Sequence, residues 1–269
     1  MEGLPNGGRM SREAHVRSCE RLVGKFRRPT LLHTPTPDPT AFDQQVKTVC
    51  DIYQAAPRLH KEGVKIISCD EKTGIQALER KITAMKPGRW ERQEHEYERH
   101  GTQCLIANFE IATGKIIAPT IKNTRKEKDF EKHIKQTIKT EPKAHWVFIT
   151  DNLNTHQSES LVQYVAGVCN ITEDLGKKGR RGILKSMETR AAFLSDPAHR
   201  IRFIYTPKHA SWLNQVEIWF SILVKRLLKR LSVGSKKELK QKLSGFIDYF
   251  NATMAKPFKW TYKGSPLRA

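Results

Sequence analysis

The segment HWVFITDNLNTH, residues 145–156, runs a compact apolar strand directly into polar residues. Its first half is apolar and β-branched, which favours a buried strand, and its second half begins with Asp151. A second strand pattern, VKIISCDE, ends in the same way on Asp70 and a glutamate. Because sheet enzymes bind ligands beyond the carboxyl ends of strands, we expect the two aspartates to meet at one edge of a sheet.

The rest of the chain supplies further elements for such a sheet. Residues 102–122 read as two strands around a turn at Thr113 and Gly114, and residues 201–208 as another strand. Apolar residues recur at helical spacing in the segments 42–56, 128–141, 158–168, 212–231 and 236–253. The order of three strands, helix, strand, helix, strand, helix predicts an α/β fold, in which helices pack on a mixed sheet.

The first 40 residues differ from the remainder. They hold seven Lys or Arg, and a stretch with four prolines within eleven residues precludes a regular helix there. We interpret residues 1–40 as a basic arm and linker, either the remnant of a DNA-binding module or a floppy terminus. Residues 41–269 are predicted to form one domain, with a protruding loop at 72–101 and a basic insertion at 169–200.

The charge balance indicates a polyanionic partner. The 269 residues include 48 Lys or Arg against 28 Asp or Glu, a formal charge of +20. A basic protein kept soluble by its charge is the alternative to a nucleic-acid-binding protein. The candidate phosphate contacts lie in the insertion, after the last strand and along the helix pattern 212–231: Lys177, Lys178, Arg180, Arg181, Lys208, Lys225, Arg226, Lys229 and Arg230.

Cysteine usage and hydropathy exclude several classes of protein. The five cysteines are odd in number and lack the spacing of a structural zinc site, which favours a reduced, intracellular chain. No run approaches the roughly 18 apolar residues of a membrane span, and the first residues lack the apolar middle of a signal peptide. A cytoplasmic protein without membrane contact is therefore expected.

A third carboxylate, Glu217, lies within the most hydrophobic helical pattern of the chain. Asn214, Glu217 and Ser221 fall at steps of three and four beside its apolar stripe, on one narrow polar line. Each acid alone has an ordinary interpretation, as a residue that follows a strand or as a solvated helix residue. Together with the positive charge, Asp70, Asp151 and Glu217 favour two divalent cations, magnesium or manganese, that serve phosphoryl transfer.

Three stretches, ISCDEKTGIQALER, FITDNLNTH and YTPKHASWLNQVEIWFSIL, occur in this order. They resemble the catalytic domain of a mariner-like bacterial insertion-sequence transposase of the DDE class, over about residues 40–269. The resemblance implies a ribonuclease-H-like fold, a mixed five-stranded sheet with helices on both faces. It also implies that Asp70, Asp151 and Glu217 are the catalytic residues that bind the metal.

Polar residues beside the acids match the family as well. Asn152 and His156 match positions after the second acid, and Asn214 matches the one before the glutamate. Asn152 is expected to form a turn and hydrogen bond near the acids rather than hold the metal. His156 has three possible roles: a general base, a neighbour of the metal, or a turn residue that caps backbone groups.

The resemblance implies cleavage of DNA at transposon ends and strand transfer into target DNA, with two magnesium ions that manganese can replace. It implies a homodimer assembled on DNA, in which the loop at 72–101 reaches a second subunit, and a bacterial, nucleoid-associated protein. Folding of that loop onto its own domain is the alternative. A ribonuclease-H-like nuclease without strand transfer and an inactive DNA-binding remnant are the rival functions.

Two features depart from the family pattern. The 65 residues between Asp151 and Glu217 form a longer gap than eukaryotic mariner elements have, which the insertion explains. The basic arm is too short for the two helix-turn-helix modules of such transposases. The chain is therefore expected to represent a catalytic half, whose recognition of specific transposon ends is in question.

Overall fold

Five strands form one mixed sheet in the computed structural model, which describes residues 39–83 and 92–262. The strands are β1 (Val64–Thr83), β2 (Arg92–Glu110), β3 (Ile116–Lys122), β4 (His145–Thr150) and β5 (Ile201–Tyr205). Their spatial order is β3-β2-β1-β4-β5. The first three strands pair antiparallel, whereas β4 and β5 run parallel to β1.

Six α-helices connect and cover these strands in the described ranges. They are α1 (Pro39–Lys61), α2 (Glu127–Ile138), α3 (Glu159–Val168), α4 (Met187–Leu194), α5 (Val216–Arg226) and α6 (Lys236–Thr253). The predicted cap of α3 is present, since the Ser158 hydroxyl accepts a hydrogen bond from Leu161 N–H at 3.2 Å. None of the helices in these ranges is both long and apolar enough to span a bilayer.

Helices pack on both faces of the sheet because successive strand residues point to opposite sides. Ile66 joins a core with residues of α1, α5 and α6, whereas Ile67 joins a second core with residues of α2, α3 and α4. The β4 side chains from Trp146 to Thr150 are all buried between these two layers. The predicted α/β fold, a five-stranded mixed sheet with helices on both faces, is confirmed.

The range 72–101 is largely strand, which corrects the predicted loop. β1 does not end near Asp70 but continues to Thr83, paired with the first half of β2. Register shifts interrupt this pairing between Lys72 and Ile75, around the positive φ of Gly74. At its base the hairpin is bound to its own chain, since Val233 N–H donates to the carbonyl oxygen of Leu78 at 2.8 Å. Residues 84–91, between β1 and β2 in the sequence, lie outside the described residues.

The helix predicted over 212–231 is interrupted twice. A 3-10 turn at Ser211–Leu213 precedes α5, and another at Leu228–Arg230 follows it, so Lys229 lies beyond the helix. Hydrogen bonds from elsewhere in the fold explain the first break. The Tyr53 hydroxyl donates to the carbonyl oxygen of Leu213 at 2.8 Å, and Val216 N–H donates to the Ser68 hydroxyl at 2.8 Å.

The insertion at 169–200 carries ordered structure of its own. Lys177 and Arg181 bridge a tight turn, and α4 follows it. Gly176 has a φ of +84°, and a β-carbon there would lie 2.1 Å from the Arg181 carbonyl oxygen, so the turn requires glycine. Buried Arg190 of α4 donates to the Gln157 carbonyl oxygen at 2.6 Å. The insertion is therefore anchored to the turn that follows β4. The predicted arm, residues 1–40, falls almost wholly outside the described residues.

Candidate active site

The three predicted acids converge at one edge of the sheet. Asp70 lies two residues beyond Ser68, the last β1 residue paired with β4. Asp151 follows the last residue of β4, and Glu217 lies in the first turn of α5. The carboxylates of Asp151 and Glu217 each shift the pKa of Asp70, as expected for charges that share one site.

Asp70 is oriented by the turn that precedes α5. Asn214 donates from Nδ2 to Asp70 Oδ2 at 3.0 Å and to the carbonyl oxygen of Cys69 at 3.1 Å. The Ser68 hydroxyl in turn donates to Asn214 Oδ1. The other Asp70 oxygen, Oδ1, accepts from Glu71 N–H at 2.7 Å. The predicted polar neighbour Asn214 thus binds an acid directly, from a turn and not from the helix.

The acids repel one another in this arrangement. Burial raises the pKa of Asp70 to about 7, and the carboxylates of Asp151 and Glu217 add to the increase, which the Glu71 N–H only partly offsets. Partial burial likewise raises the pKa of Glu217, with Lys72 opposing the shift and Asp151 adding to it. A site of this kind gains stability from a proton or a cation.

Asp151 has a different environment, because a histidine neutralises it. His156 Nδ1 lies 2.7 Å from Asp151 Oδ1, which also accepts from Leu153 N–H at 3.2 Å. Burial alone would raise the pKa of Asp151, but the contact with His156 outweighs it and lowers the pKa. The Asp151 side chain remains 42% exposed, so it is accessible to a ligand.

A fourth carboxylate, Glu71, was missed from the sequence. Its side chain is 2% exposed, and its Oε1 lies 3.7 Å from Nε2 of the fully buried His156. Burial alone would lower the pKa of His156, but the carboxylates of Asp151 and Glu71 raise it to about 9. One feature of the sequence could have indicated Glu71. It directly follows Asp70 in a strand, and successive strand residues point to opposite faces of the sheet.

A model of the DDE superfamily endonuclease family matches residues 65–240, a range that contains all three predicted acids. The chain belongs to this family. The predicted DDE class of enzyme is thereby confirmed. The observed mixed five-stranded sheet with helices on both faces is the arrangement expected from the resemblance.

Solved structures that align with most of this chain include two of the Mos1 transposase. The Mos1 paired-end complex with left transposon end is 11% identical, with 96% of this chain and 77% of that chain covered and a TM-score of 0.49. The catalytic domain of Mos1 mariner transposase is 11% identical, with 85% and 89% covered and a TM-score of 0.45. Comparison with curated protein sequences gives no match.

A DDE domain implies the use of divalent metal ions, and the donor set fits this requirement. Carboxylate oxygens are the hard ligands that magnesium and manganese prefer, and burial together with the neighbouring carboxylates raises the pKa of Asp70, which a bound cation would offset. The three acids are spaced more widely than the ligands of a single ion. Within the described residues, a cluster of three possible metal ligands whose ligand atoms all lie within 4.8 Å of one another occurs at Glu79, Glu98 and His100 on the hairpin. This cluster does not include the three acids.

Asn152 contacts neither the Asp70 nor the Asp151 carboxylate among the hydrogen bonds of the described residues. It donates to the carbonyl oxygen of Thr206 at 2.7 Å, and its Oδ1 accepts from Gln157 at 3.0 Å. Asn152 therefore joins the loop after β4 to the end of β5, and its effect on the acids is indirect.

The nine basic residues predicted to contact DNA are all exposed in this DDE endonuclease. Two of them already have acidic partners: Lys178 lies 3.8 Å from Glu159, and Arg181 lies 3.0 Å from Asp174. The other seven lie in the insertion, after β5, at the end of α5 and in the 3-10 turn that follows α5. Exposed ion pairs of this kind are weak, so a phosphate can compete for both cations.

An open cleft of about 370 Å³ lies beside Glu71, and it was not predicted. Hydroxyl, amide and basic side chains line it, including Thr73, Thr102, Arg125 and Lys126, and none of its described lining residues is acidic. Arg125 connects the cleft to the site, because its guanidinium lies 3.8 Å from Glu71 while its side chain is 56% exposed.

Proposed function

We propose that this chain is the catalytic domain of a DNA transposase, which cleaves phosphodiester bonds at transposon ends and transfers the freed strand to target DNA. The observation that carries the proposal is the convergence of Asp70, Asp151 and Glu217 at one sheet edge of a DDE endonuclease. The formal charge of +20 supports a nucleic-acid substrate.

Asp70, Asp151 and Glu217 would hold two divalent cations, magnesium with manganese as a substitute. When bound, such ions activate a water or hydroxyl nucleophile and stabilise the charge that develops on the phosphate oxygens. The three carboxylates are spaced more widely than the ligands of one ion. This spacing is compatible with two ions, because each ion would bind only some of the three carboxylates.

The chain's own residues fix the carboxylates that face the substrate. Asn214 holds Oδ2 of Asp70 at 3.0 Å, so rotation of that carboxylate is restricted. His156 and Leu153 both engage Oδ1 of Asp151, so its Oδ2 is the oxygen available to a ligand. Such restraint matters because metal and phosphate geometry tolerate only small displacements of a ligand atom.

DNA binding would use two kinds of contact. The nine exposed basic residues supply affinity for phosphates that does not depend on sequence. The cleft beside Glu71 offers Arg125, Lys126 and hydroxyl donors next to the acids, and we assign to it a phosphate of the strand being cleaved. Because none of its described lining residues is acidic, the phosphate meets no like charge there.

A homodimer on DNA is the proposed assembly. The hairpin of β1 and β2 is bound to its own chain at Leu78 and at Arg80, whose N–H donates to the Ser232 hydroxyl at 2.9 Å. Tyr97, which pairs with Arg80 across the hairpin, is 44% exposed, and this hairpin is the segment proposed to reach the second subunit. Association with the nucleoid of a bacterial cell would follow from binding of DNA without sequence preference.

Cleavage and strand transfer can be tested together with a labelled, pre-cleaved DNA end and a supercoiled plasmid in magnesium or manganese. Wild-type protein should nick the plasmid and join the labelled end to it, and Asp151→Asn should abolish both products. Asp248→Asn, at an exposed position on α6, is the matched control and should retain both.

The rival functions give different products in the same experiment. Nicking without joined product would indicate a nuclease that stops after hydrolysis. DNA binding without any metal-dependent nicking would indicate an inactive remnant. Unchanged activity in Asp151→Asn would reject the assignment of the acids.

A further inference from the structure

Glu71 is a buried carboxylate without an adequate partner. Its side chain is 2% exposed, and among the described residues neither oxygen has a hydrogen bond. The nearest cationic groups are His156 Nε2 at 3.7 Å and Arg125 at 3.8 Å, both too far for a hydrogen bond. Burial of an acid under these conditions is unfavourable, so its position at the site calls for a functional reason.

The strand register places Glu71 and Asp70 on opposite faces of the sheet. Asp70 pairs with Ala107, which belongs to the core of α1, α5 and α6, and Glu71 pairs with Ile106, which belongs to the other core. Asn214 reaches Asp70 from the first face. Glu71 meets His156 on the second face, and the same imidazole contacts Asp151 at 2.7 Å.

His156 is held rigidly between the two carboxylates. Its ring packs against Phe130 with centroids 4.2 Å apart and the two ring planes tilted by 37°. Its backbone carbonyl accepts from the Tyr205 hydroxyl at 3.0 Å, and its N–H donates to the Leu153 carbonyl oxygen at 2.9 Å. An imidazole fixed in this way has one nitrogen for each carboxylate, and the negative charge of Glu71 on the Nε2 side favours the orientation in which Nδ1 faces Asp151.

We propose that Glu71 is a positioning residue, which acts through His156 to hold the Asp151 carboxylate in the orientation that binds a divalent cation. The inference rests on the proposed function, since it assigns Asp151 to the metal. Partners that orient a ligand from behind typically contribute about 10- to 100-fold to metal affinity. Glu71 itself need not touch the metal or the DNA.

The test is the affinity for Mn²⁺ of the whole chain without DNA, measured by isothermal titration calorimetry. Glu71→Gln, which keeps the volume and removes the charge, should weaken Mn²⁺ binding by about 10- to 100-fold. Glu110→Gln is the matched control, because Glu110 is also a buried β-strand carboxylate, 3.5 Å from His60 and 3.2 Å from Lys65, away from the acids. It should leave Mn²⁺ affinity unchanged.

Two further readouts separate positioning from a general structural role. In cleavage assays Glu71→Gln should raise the half-saturating Mn²⁺ concentration and leave the rate at saturating Mn²⁺ close to that of wild type. In a His156→Asn background Glu71→Gln should have no additional effect on Mn²⁺ affinity. If His156→Asn does not fold, the difference between Glu71→Gln and Glu110→Gln decides.

The possible failures are distinguishable. Wild-type Mn²⁺ affinity in Glu71→Gln, with wild-type protein active, overturns the inference and leaves the proposed function intact. Additive effects of Glu71→Gln and His156→Asn also overturn it, in favour of a direct metal ligand. A wild-type chain that binds Mn²⁺ but cleaves no DNA contradicts the proposed function, while the affinities still decide the role of Glu71. A wild-type chain that binds no Mn²⁺ overturns both.

Discussion

Asn214 donates a hydrogen bond to Asp70 across 3.0 Å, and so joins the turn before α5 to the middle of β1. The same amide also binds the Cys69 carbonyl oxygen and the Ser68 hydroxyl. One side chain therefore fixes the first acid relative to the helix that carries the third, Glu217.

Replacement of Asn214 by Ala should reduce both stability and activity. Loss of these buried hydrogen bonds is expected to cost about 1–3 kcal/mol of unfolding free energy, measured in urea. Cleavage at a temperature where the variant is folded should also fall, because Asp70 can then rotate. Asn251→Ala is the control, since Asn251 makes two 2.8 Å hydrogen bonds to the backbone of Ile116, away from the acids. Equal activity of the two variants would contradict a role of Asn214 at the site.

Acid should destabilise the fold through His133. This histidine is fully buried, with Nδ1 2.8 Å from the Thr120 hydroxyl, and burial, with smaller contributions from His156 and Lys122, lowers its pKa to about 3. The unfolded chain takes up the proton below about pH 6.5, whereas the native chain does not. The stability contributed by neutral His133 is thus complete above pH 6.5 and is lost toward pH 3, at up to about 1.4 kcal/mol per pH unit.

The measurement is the urea unfolding free energy of wild type and His133→Asn between pH 7.5 and 5. Wild type should lose more stability than the variant over this range, since the variant has no proton to take up at this position. Parallel pH profiles for the two proteins would exclude His133 as the cause.

Loss of Arg190 should affect the site through the insertion. Arg190 donates to the carbonyl oxygens of Gln157 and Leu184, and Gln157 directly follows His156. Arg190→Met should therefore destabilise the fold by about 2–3 kcal/mol and slow cleavage as well. Arg200→Met is the control, because Arg200 also donates to two carbonyl oxygens, those of Pro142 and Ala144. Slower cleavage in both variants would indicate a general effect of stability alone.

The cleft beside Glu71 makes a prediction about salt dependence. Arg125→Ala should weaken DNA binding without metal, and the slope of log affinity against log salt should become shallower by about 1, the value for one lost phosphate contact. Arg58→Ala, at an exposed residue of α1 that pairs with Glu62 at 2.8 Å, is the matched control and should change neither quantity. An unchanged slope for Arg125→Ala would remove the cleft from the DNA-binding surface.

Sequence periodicity predicted the elements whose apolar residues follow one period over their whole length. The strand at 145–150 and the helix at 236–253 lie where the pattern placed them. The break at Asn214 was not visible, because the apolar spacing of Trp212, Val216 and Trp219 continues across it. The helix is interrupted by hydrogen bonds to residues distant in sequence, among them the bond from the Tyr53 hydroxyl to Leu213 and the bond from Val216 N–H to Ser68.

The environment of the acids depends on similarly distant contacts. Asp70 and Asp151 could be identified as a pair because each follows an apolar strand pattern. Glu71 has the same local pattern as any acid beside a strand, and its surroundings depend on residues distant in sequence, His156 in the turn after β4 and Arg125 before α2. The extension of β1 was missed because charged residues and Gly74 interrupt its apolar alternation.

The two aspartates are supported from opposite sides of the sheet, Asp70 by Asn214 and Asp151 by His156. Asn214 directly follows Leu213 of one hydrophobic core, and His156 contacts Phe130 of the other. A packing change in either core can therefore displace one carboxylate and leave the other in place. Thermal inactivation could then precede unfolding, since the distance between the carboxylates responds to local loosening of one layer. Substitutions that improve packing in only one core should raise the unfolding temperature more than the temperature at which activity is lost.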